Sequence, residues 1–319
     1  MKKYIARTSF ISLLIFIFFA CNNGKKEQTT ENVTEAPQKI FIMTPIPPEL
    51  KTAKDRADFL AEHYWDNFDF RDTVYLNSPD VIDQAVVTYL EVLMVADPQL
   101  AQTSVRSVLE KAAVNDRMLA SILSFYKRYL YDPNSPIRNE ELYIPVLQYL
   151  VDNEKNEGEK ERARFDLDML MKNRVGEKAT DITYTLASGS SGNLYGLRGD
   201  HTILMFYNPD CEACAQTIDI MKSTPVISKL IELKSLSVLT FYPDADLAAW
   251  KNHFNDIPST WVNGYDKGRV VETKRLYDLK AIPTLYLLDR DKKVVLKDAP
   301  VNQIISYLAN SNPMLLGGQ

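Results

Sequence analysis

Apolar residues recur at helical spacing through the first half of the chain and shift to strand-like alternation in the second. Phe59, Leu60, Tyr64 and Phe68 predict a helix over residues 55–68. Ser78-Pro79, a capping residue followed by proline at the first helical position, opens another that carries Ile82, Val86, Tyr89 and Leu93 to about residue 96. Asp97-Pro98 ends it. Further amphipathic stretches follow over 98–114, 116–130, 139–151 and 157–172, interrupted by DPNSP at 132–136. An all-helical domain is therefore expected over residues 40–173. Its tyrosines, among them Tyr126, Tyr129, Tyr131 and Tyr143, serve either as packing residues or as the lining of a groove.

The rhythm changes at Val175-Gly176. TDITYTL (180–186) alternates like a strand, SGSSGN (188–193) is turn-rich, and NLYGL (193–197) can return as the second strand of a hairpin. Strands are expected at HTILMFY (201–207), LSVLTFY (236–242), TLYLLD (284–289) and VVLKDA (294–299). Helices are expected after residue 211, around 247–254, around 270–279 and up to about 309. That order predicts a mixed sheet flanked by helices over residues 174–311, so the fold class is α plus α/β.

Two segments precede these domains. MKKYIARTSFISLLIFIFFAC has Lys2, Lys3 and Arg7 before a short apolar run from Ser9 to Ala20, which reads as a secretion signal over residues 1–20. A membrane-spanning helix needs about 20 apolar residues, and this run is roughly a dozen. Residues 21–39 are polar and aperiodic, the composition of a flexible tether. The net charge of −5, with both signs well mixed, leaves no basic footprint for nucleic acid.

The chain holds three cysteines, Cys21, Cys211 and Cys214. In YNPDCEACAQTIDIM (207–221) an apolar strand hands over to a helical pattern, and Cys211 falls at the helix N-terminus. Unpaired N–H groups and the positive end of the helix dipole stabilise a thiolate there. Cys214 lies on the same helical face, within bridging reach. As a staple, so short a loop would stabilise little. Zinc would need two further ligands, and His63, His201 and His253 show no ligand spacing, so neither a metal nor a cofactor is expected. A redox-active dithiol is preferred over an inert bridge. Pro283 opens an otherwise apolar strand in KAIPTLYLLD (280–289). Asp210 and Glu212 flank Cys211, and two carboxylates beside a developing thiolate disfavour its ionisation, biasing the couple toward a reductant.

A strand, a CxxC pair at a helix start and a later Ile-Pro-Thr opening the next strand resemble the thioredoxin fold. NRVGEKATDITYTL (173–186) is similar to the start of TlpA/ResA-like thiol-disulfide oxidoreductases, and the long stretch between Cys211 and Pro283 fits that group's insertion. The helical segment resembles a domain found ahead of such modules in Bacteroidetes lipoproteins. The resemblance implies that Cys211 attacks, that Cys214 resolves, and that Pro283 is cis and shapes a groove in which the Ile282 backbone pairs with an extended substrate. It implies a disulfide-containing client protein and an upstream thiol donor as partners. Cys21 after Ala20 resembles the bacterial lipoprotein cleavage box, despite Phe18 and Phe19. That implies acylation of Cys21 and a membrane anchor through lipid, and Asn22 would favour sorting to the outer membrane, facing periplasm or cell surface.

The family pattern is broken at several positions. Thr217 stands where a glutamate proton acceptor is usual and Asp219 where a proline is, leaving water or Asp219 to exchange the proton of Cys214. Met205 replaces thioredoxin's buried aspartate, and Tyr207 a customary tryptophan. A rival reading is a ligand- or partner-binding lipoprotein whose thioredoxin-like module is a catalytically weak scaffold.

Overall fold

Thr52, Asp97, Asn115, Asn139 and Asn156 each accept a backbone N–H from a first helical turn, and each marks the start of a helix in the first half of the chain. In the computed structural model, which describes residues 40–313, these helices are α1 (Ala53–His63), α3 (Pro98–Ala112), α4 (Asp116–Tyr126), α5 (Glu140–Asn153) and α6 (Glu157–Leu170). Between the first two lies α2 (Pro79–Leu93), which relies on Pro79 in its first turn, because Ser78 makes no side-chain cap bond. The signal segment 1–20, the tether 21–39 and Cys21 lie outside the described residues.

The helical layer closes over an aromatic centre. Phe41 stacks on Tyr64 with ring centroids 5.1 Å apart, and Trp65, Phe68 and Tyr89 pack around them. Tyr126 and Tyr143 are buried packing residues, while the half-buried Tyr131 stacks on Tyr143 at 4.6 Å. Helix α4 runs on into one turn of π-helix at Lys127–Tyr131 before the predicted break at Asp132.

The second half forms a seven-stranded sheet in the order β2-β1-β5-β4-β3-β6-β7. Its strands are β1 (Thr183–Thr185), β2 (Ser191–Asn193), β3 (His201–Phe206), β4 (Leu236–Tyr242), β5 (Val262–Tyr265), β6 (Thr284–Asp289) and β7 (Val294–Lys297). Strand β3 is an interior strand, parallel to β4 and antiparallel to β6. Its alternation sends Ile203 and Met205 to one face, among side chains of α7 (Glu212–Ser223), α8 (Pro225–Glu232) and α11 (Val301–Ser311). Leu204 and Phe206 go to the other, with Tyr277, Tyr286 and Leu194. Both faces are thus covered, which is why the strand reads as one unbroken apolar run. Two short helices, α9 (Leu247–Asn252) and α10 (Val270–Thr273), lie in the connections around β5. The described residues 40–313 belong to one compact unit, and no helix among them is long and apolar enough to cross a membrane.

The expected α plus α/β class holds, with local corrections. The return strand of the first hairpin is Ser191–Asn193, and most of the predicted NLYGL strand is instead a 3-10 turn, because Asn193 Oδ1 accepts the Gly196 N–H. The helix expected over 270–279 stops at Thr273, and Arg275 beyond it adopts φ 51°. Strand β5 carries no clear sequence signal, whereas helix α8, absent from the expected elements, is marked by Pro225 in its first turn and by the spacing of Val226, Ile227 and Leu230.

Strand β5 is held from inside by a buried asparagine. Asn263 Oδ1 accepts from Tyr207 Oη at 2.8 Å and from Trp250 Nε1 at 3.1 Å, and Trp250 is fully buried. Asn263→Ala strands both donors away from water and is expected to cost about 2–6 kcal/mol, at about 1–3 kcal/mol per orphaned buried group. Urea denaturation measures this as a lowered midpoint with the slope unchanged.

Candidate functional site

Strand β3 ends at Phe206, and the chain turns through Asn208 to Asp210 before helix α7 begins. The turn is self-bonded: Asp210 N–H donates to Asn208 Oδ1 at 3.0 Å and Cys211 N–H to the Asn208 carbonyl at 3.2 Å. Cys211 is the N-cap of α7, and its Sγ accepts the Cys214 N–H at 3.2 Å. A sulfur thus does what a serine or aspartate oxygen does at other caps, and negative charge on it meets both that N–H and the helix dipole.

The two thiols have opposite surroundings. Cys211 is half-buried, whereas Cys214 is 1% exposed and packs with Ile218 and Met221 under the helix. Burial pushes the Cys214 thiol up to about 12, and its bond with the Cys211 sulfur pushes the same way.

Pro283 precedes β6, and the Ile282–Pro283 peptide is cis. Because Phe206 pairs with Thr284 across the β3–β6 ladder, the loop before β6 arrives beside the turn after β3. The Cys211 thiol donates to the Ile282 carbonyl at 3.6 Å. Cys211, Cys214, Ile282 and Pro283 are therefore brought together. Asp210 and Glu212 flank the thiol but face solvent: Asp210 lies 3.6 Å from His253 Nε2, and Glu212 accepts from Gln216 at 3.2 Å. Their field on Cys211 is screened accordingly.

The positions that break the family pattern also have definite partners. Thr217 turns its hydroxyl back to the Ala213 carbonyl at 2.8 Å, so it is used within the helix. Asp219 pairs with Lys222 at 3.2 Å on the exposed face, and Met205 is fully buried. A cavity of about 310 Å³ opens beside Cys214, lined among others by Tyr207, Asp219, His253 and Asp256. His253 is the polar residue that sequence reasoning set aside. Its Nδ1 lies 2.8 Å from Asp256 Oδ2, a pairing whose sequence trace is His-x-x-Asp just past α9. Among the described residues no cluster of three or more His, Cys, Asp or Glu is placed to hold a metal ion.

Comparison with known proteins places the fold in a family. Residues 20–173 match a family described as a domain of unknown function, DUF5106. The crystal structure of a thioredoxin-like protein from Bacteroides caccae is 45% identical, with 86% of this chain and 99% of that one covered and a TM-score of 0.82. The thiol-disulfide oxidoreductases ResA of Bacillus thuringiensis and Bacillus anthracis are each 26% identical over 146 residues, 44% of this chain and 81% of theirs. The chain belongs to the thioredoxin-like proteins, and its sheet domain is of the TlpA/ResA-like kind.

Reduced protein should be alkylated by iodoacetamide at neutral pH on Cys211 well before Cys214, since thiolate is the reacting form and Cys214 is both buried and held protonated. Cys211→Ser and Cys214→Ser, each with one of the pair left, separate the two sites by mass spectrometry. The Cys211→Ser protein should react at least about tenfold more slowly, and equal rates would contradict the assigned asymmetry.

Proposed function

We propose that the protein is an extracytoplasmic thiol-disulfide oxidoreductase that reduces disulfides in client proteins. The observation that carries this reading is the half-buried Cys211 sulfur at the α7 N-terminus, with buried Cys214 one turn on and the Ile282 carbonyl beside it. The ResA relatives' activity supports the same chemistry.

In the cycle, Cys211 thiolate attacks one sulfur of the client disulfide, forming a mixed disulfide and releasing the other client sulfur as a thiolate. Cys214 then loses its proton and attacks Cys211 Sγ. The client's second sulfur leaves as a thiolate, and the client has gained two electrons while Cys211 and Cys214 become a disulfide. A donor dithiol restores the pair. The proton of Cys214 leaves toward the cavity whose titratable groups are Asp219, Lys222, His253 and Asp256, a task that Thr217 cannot perform. A client strand lies extended along Ile282 and Pro283, where main-chain pairing supplies affinity without demanding a sequence.

Burial of Cys214 disfavours the dithiolate and favours the closed bridge, so the couple works as a reductant. The N-terminal segment supplies the location: Cys21, acylated after signal cleavage, anchors the chain to the cell envelope, and Asn22 directs it to the outer membrane, facing the periplasm.

Wild-type protein with dithiothreitol as donor should reduce insulin disulfides, and Cys211→Ser should lower the rate by about 10³-fold or more, the scale on which loss of a nucleophile is felt. Cys214→Ala should instead accumulate mixed disulfides with clients, visible on non-reducing gels. No turnover by the wild type would turn the assignment to a binding lipoprotein with a scaffold module, the reading that Thr217 favours. Labelled palmitate should be incorporated by the full chain in a Gram-negative host and be absent from Cys21→Ser; equal labelling would overturn the anchor.

A further inference from the structure

Between Thr273, where α10 ends, and Thr284, where β6 begins, the chain that delivers Ile282 and Pro283 has no helix or strand to shape it. Part of its shape comes from Tyr277, which is buried against the sheet and donates its hydroxyl to the Thr180 carbonyl, and part from the helical layer. Lys172 Nζ donates to the Arg275 carbonyl at 3.0 Å, and Asn173 Nδ2 donates to the Leu276 carbonyl at 2.8 Å. Arg275 in turn lies over the Phe165 ring of α6, 4.7 Å from its centroid.

The last hold is the strongest. Lys280, two residues before Ile282, pairs with Glu140 in the first turn of α5 at 2.7 Å and with Asp278 at 2.9 Å. Its Nζ also sits 4.1 Å from the centre of the Tyr131 ring. The side chains of Lys280 and Glu140 are each only 13% exposed, so the pair is little screened by solvent. Glu140 is shared with Lys297 of β7 at 2.9 Å, which ties the same carboxylate to the sheet. Burial works against the Glu140 carboxylate, but Lys297 and Lys280 outweigh it and hold it below the ordinary range, so it stays charged.

We propose that the helical layer is a brace for the reactive loop: Glu140 and Tyr131 hold Lys280, and Lys172 and Asn173 hold the approach to it, so that Ile282 meets Cys211 at a fixed distance. The inference rests on Cys211 being the reactive thiol. It gives the DUF5106 segment a task within this chain, that of positioning the client-binding backbone. Glu140 and Lys280 are positioning residues in this scheme, acting on the chemistry only through the Ile282 carbonyl.

The test compares Lys280→Gln and Glu140→Gln with Arg138→Gln. Arg138 pairs with Asp298 at 2.7 Å in the same seam, with side chains 15% and 16% exposed, but that pair is attached to the turn after β7 and not to the loop. In both loop variants iodoacetamide should label Cys211 about threefold faster, because the thiol loses its carbonyl partner, while insulin reduction falls about tenfold in kcat/KM from misplaced client backbone. Cys214 should stay slow, which distinguishes a loosened loop from general unfolding. Arg138→Gln should change neither rate, whatever it does to the melting temperature. Wild-type labelling of Cys211 in folded Lys280→Gln and Glu140→Gln overturns the brace, as does an equal effect of Arg138→Gln. Should Lys280→Gln not fold, Glu140→Gln decides alone. Should the wild type reduce no insulin, the oxidoreductase reading fails while the labelling rates still decide the brace.

Discussion

The register between β3 and β6 is the constraint on which the site depends. Phe206 faces Thr284 at the end of the ladder, so the turn that leaves β3 and the loop that enters β6 must meet, although Cys211 and Ile282 are 71 positions apart. That register has little freedom. A slip of one residue would turn Ile203 and Met205 toward the face that Leu204 and Phe206 fill, and every side chain of β3 from Thr202 to Phe206 is buried. Close packing of the sheet on both faces thus fixes the distance between a sulfur and a carbonyl that belong to different loops.

The same helix turn then gives two cysteines different chemistry. Cys211 sits before the helix, with its sulfur on an N–H; Cys214 sits inside, in an apolar setting that keeps it protonated. In the proposed cycle, position alone makes Cys211 the nucleophile and Cys214 the resolving thiol. The broken family positions fit an interior with no charge beneath the pair: Met205 is apolar, Thr217 bonds its own helix, and Tyr207 spends its hydroxyl on Asn263. The polar groups that serve Cys214 in the proposed cycle lie across the cavity, where His253 pairs with Asp256.

Much of this was legible in the sequence because it comes from local rules. Caps such as Asp97 and Asn139, the unbroken apolar run of β3 and the spacing of Cys211, Cys214 and Pro283 each specify their own surroundings. What stayed hidden depends on partners distant in the chain. Strand β5 is only Val262–Tyr265, with a glycine and an asparagine in it, and reads as a loop until Trp250 and Tyr207 are seen to satisfy Asn263. His253 looked like an isolated ring because Asp210 and the cavity reach it only in three dimensions. Lys280, Glu140 and Lys297 looked like part of a well-mixed solvated charge pattern, since no local periodicity marks a residue that is buried by another layer.

That seam shows why a charged contact suits the task better than an apolar one. Lys297 Nζ pairs with Glu140 and donates to the carbonyls of Leu170 and Lys172, each at 2.9 Å, which meets the three donors of an ammonium with three acceptors. Lys280 is similarly enclosed by Glu140, Asp278 and the Tyr131 ring. Apolar burial is non-directional and does not single out one partner for a given side chain. A buried charge pair does, because removing one partner costs about 3–5 kcal/mol, the penalty of an uncompensated buried charge. The ionic seam therefore locks the helical layer to the sheet at one setting, and through Lys280 it passes that setting to the loop that faces Cys211.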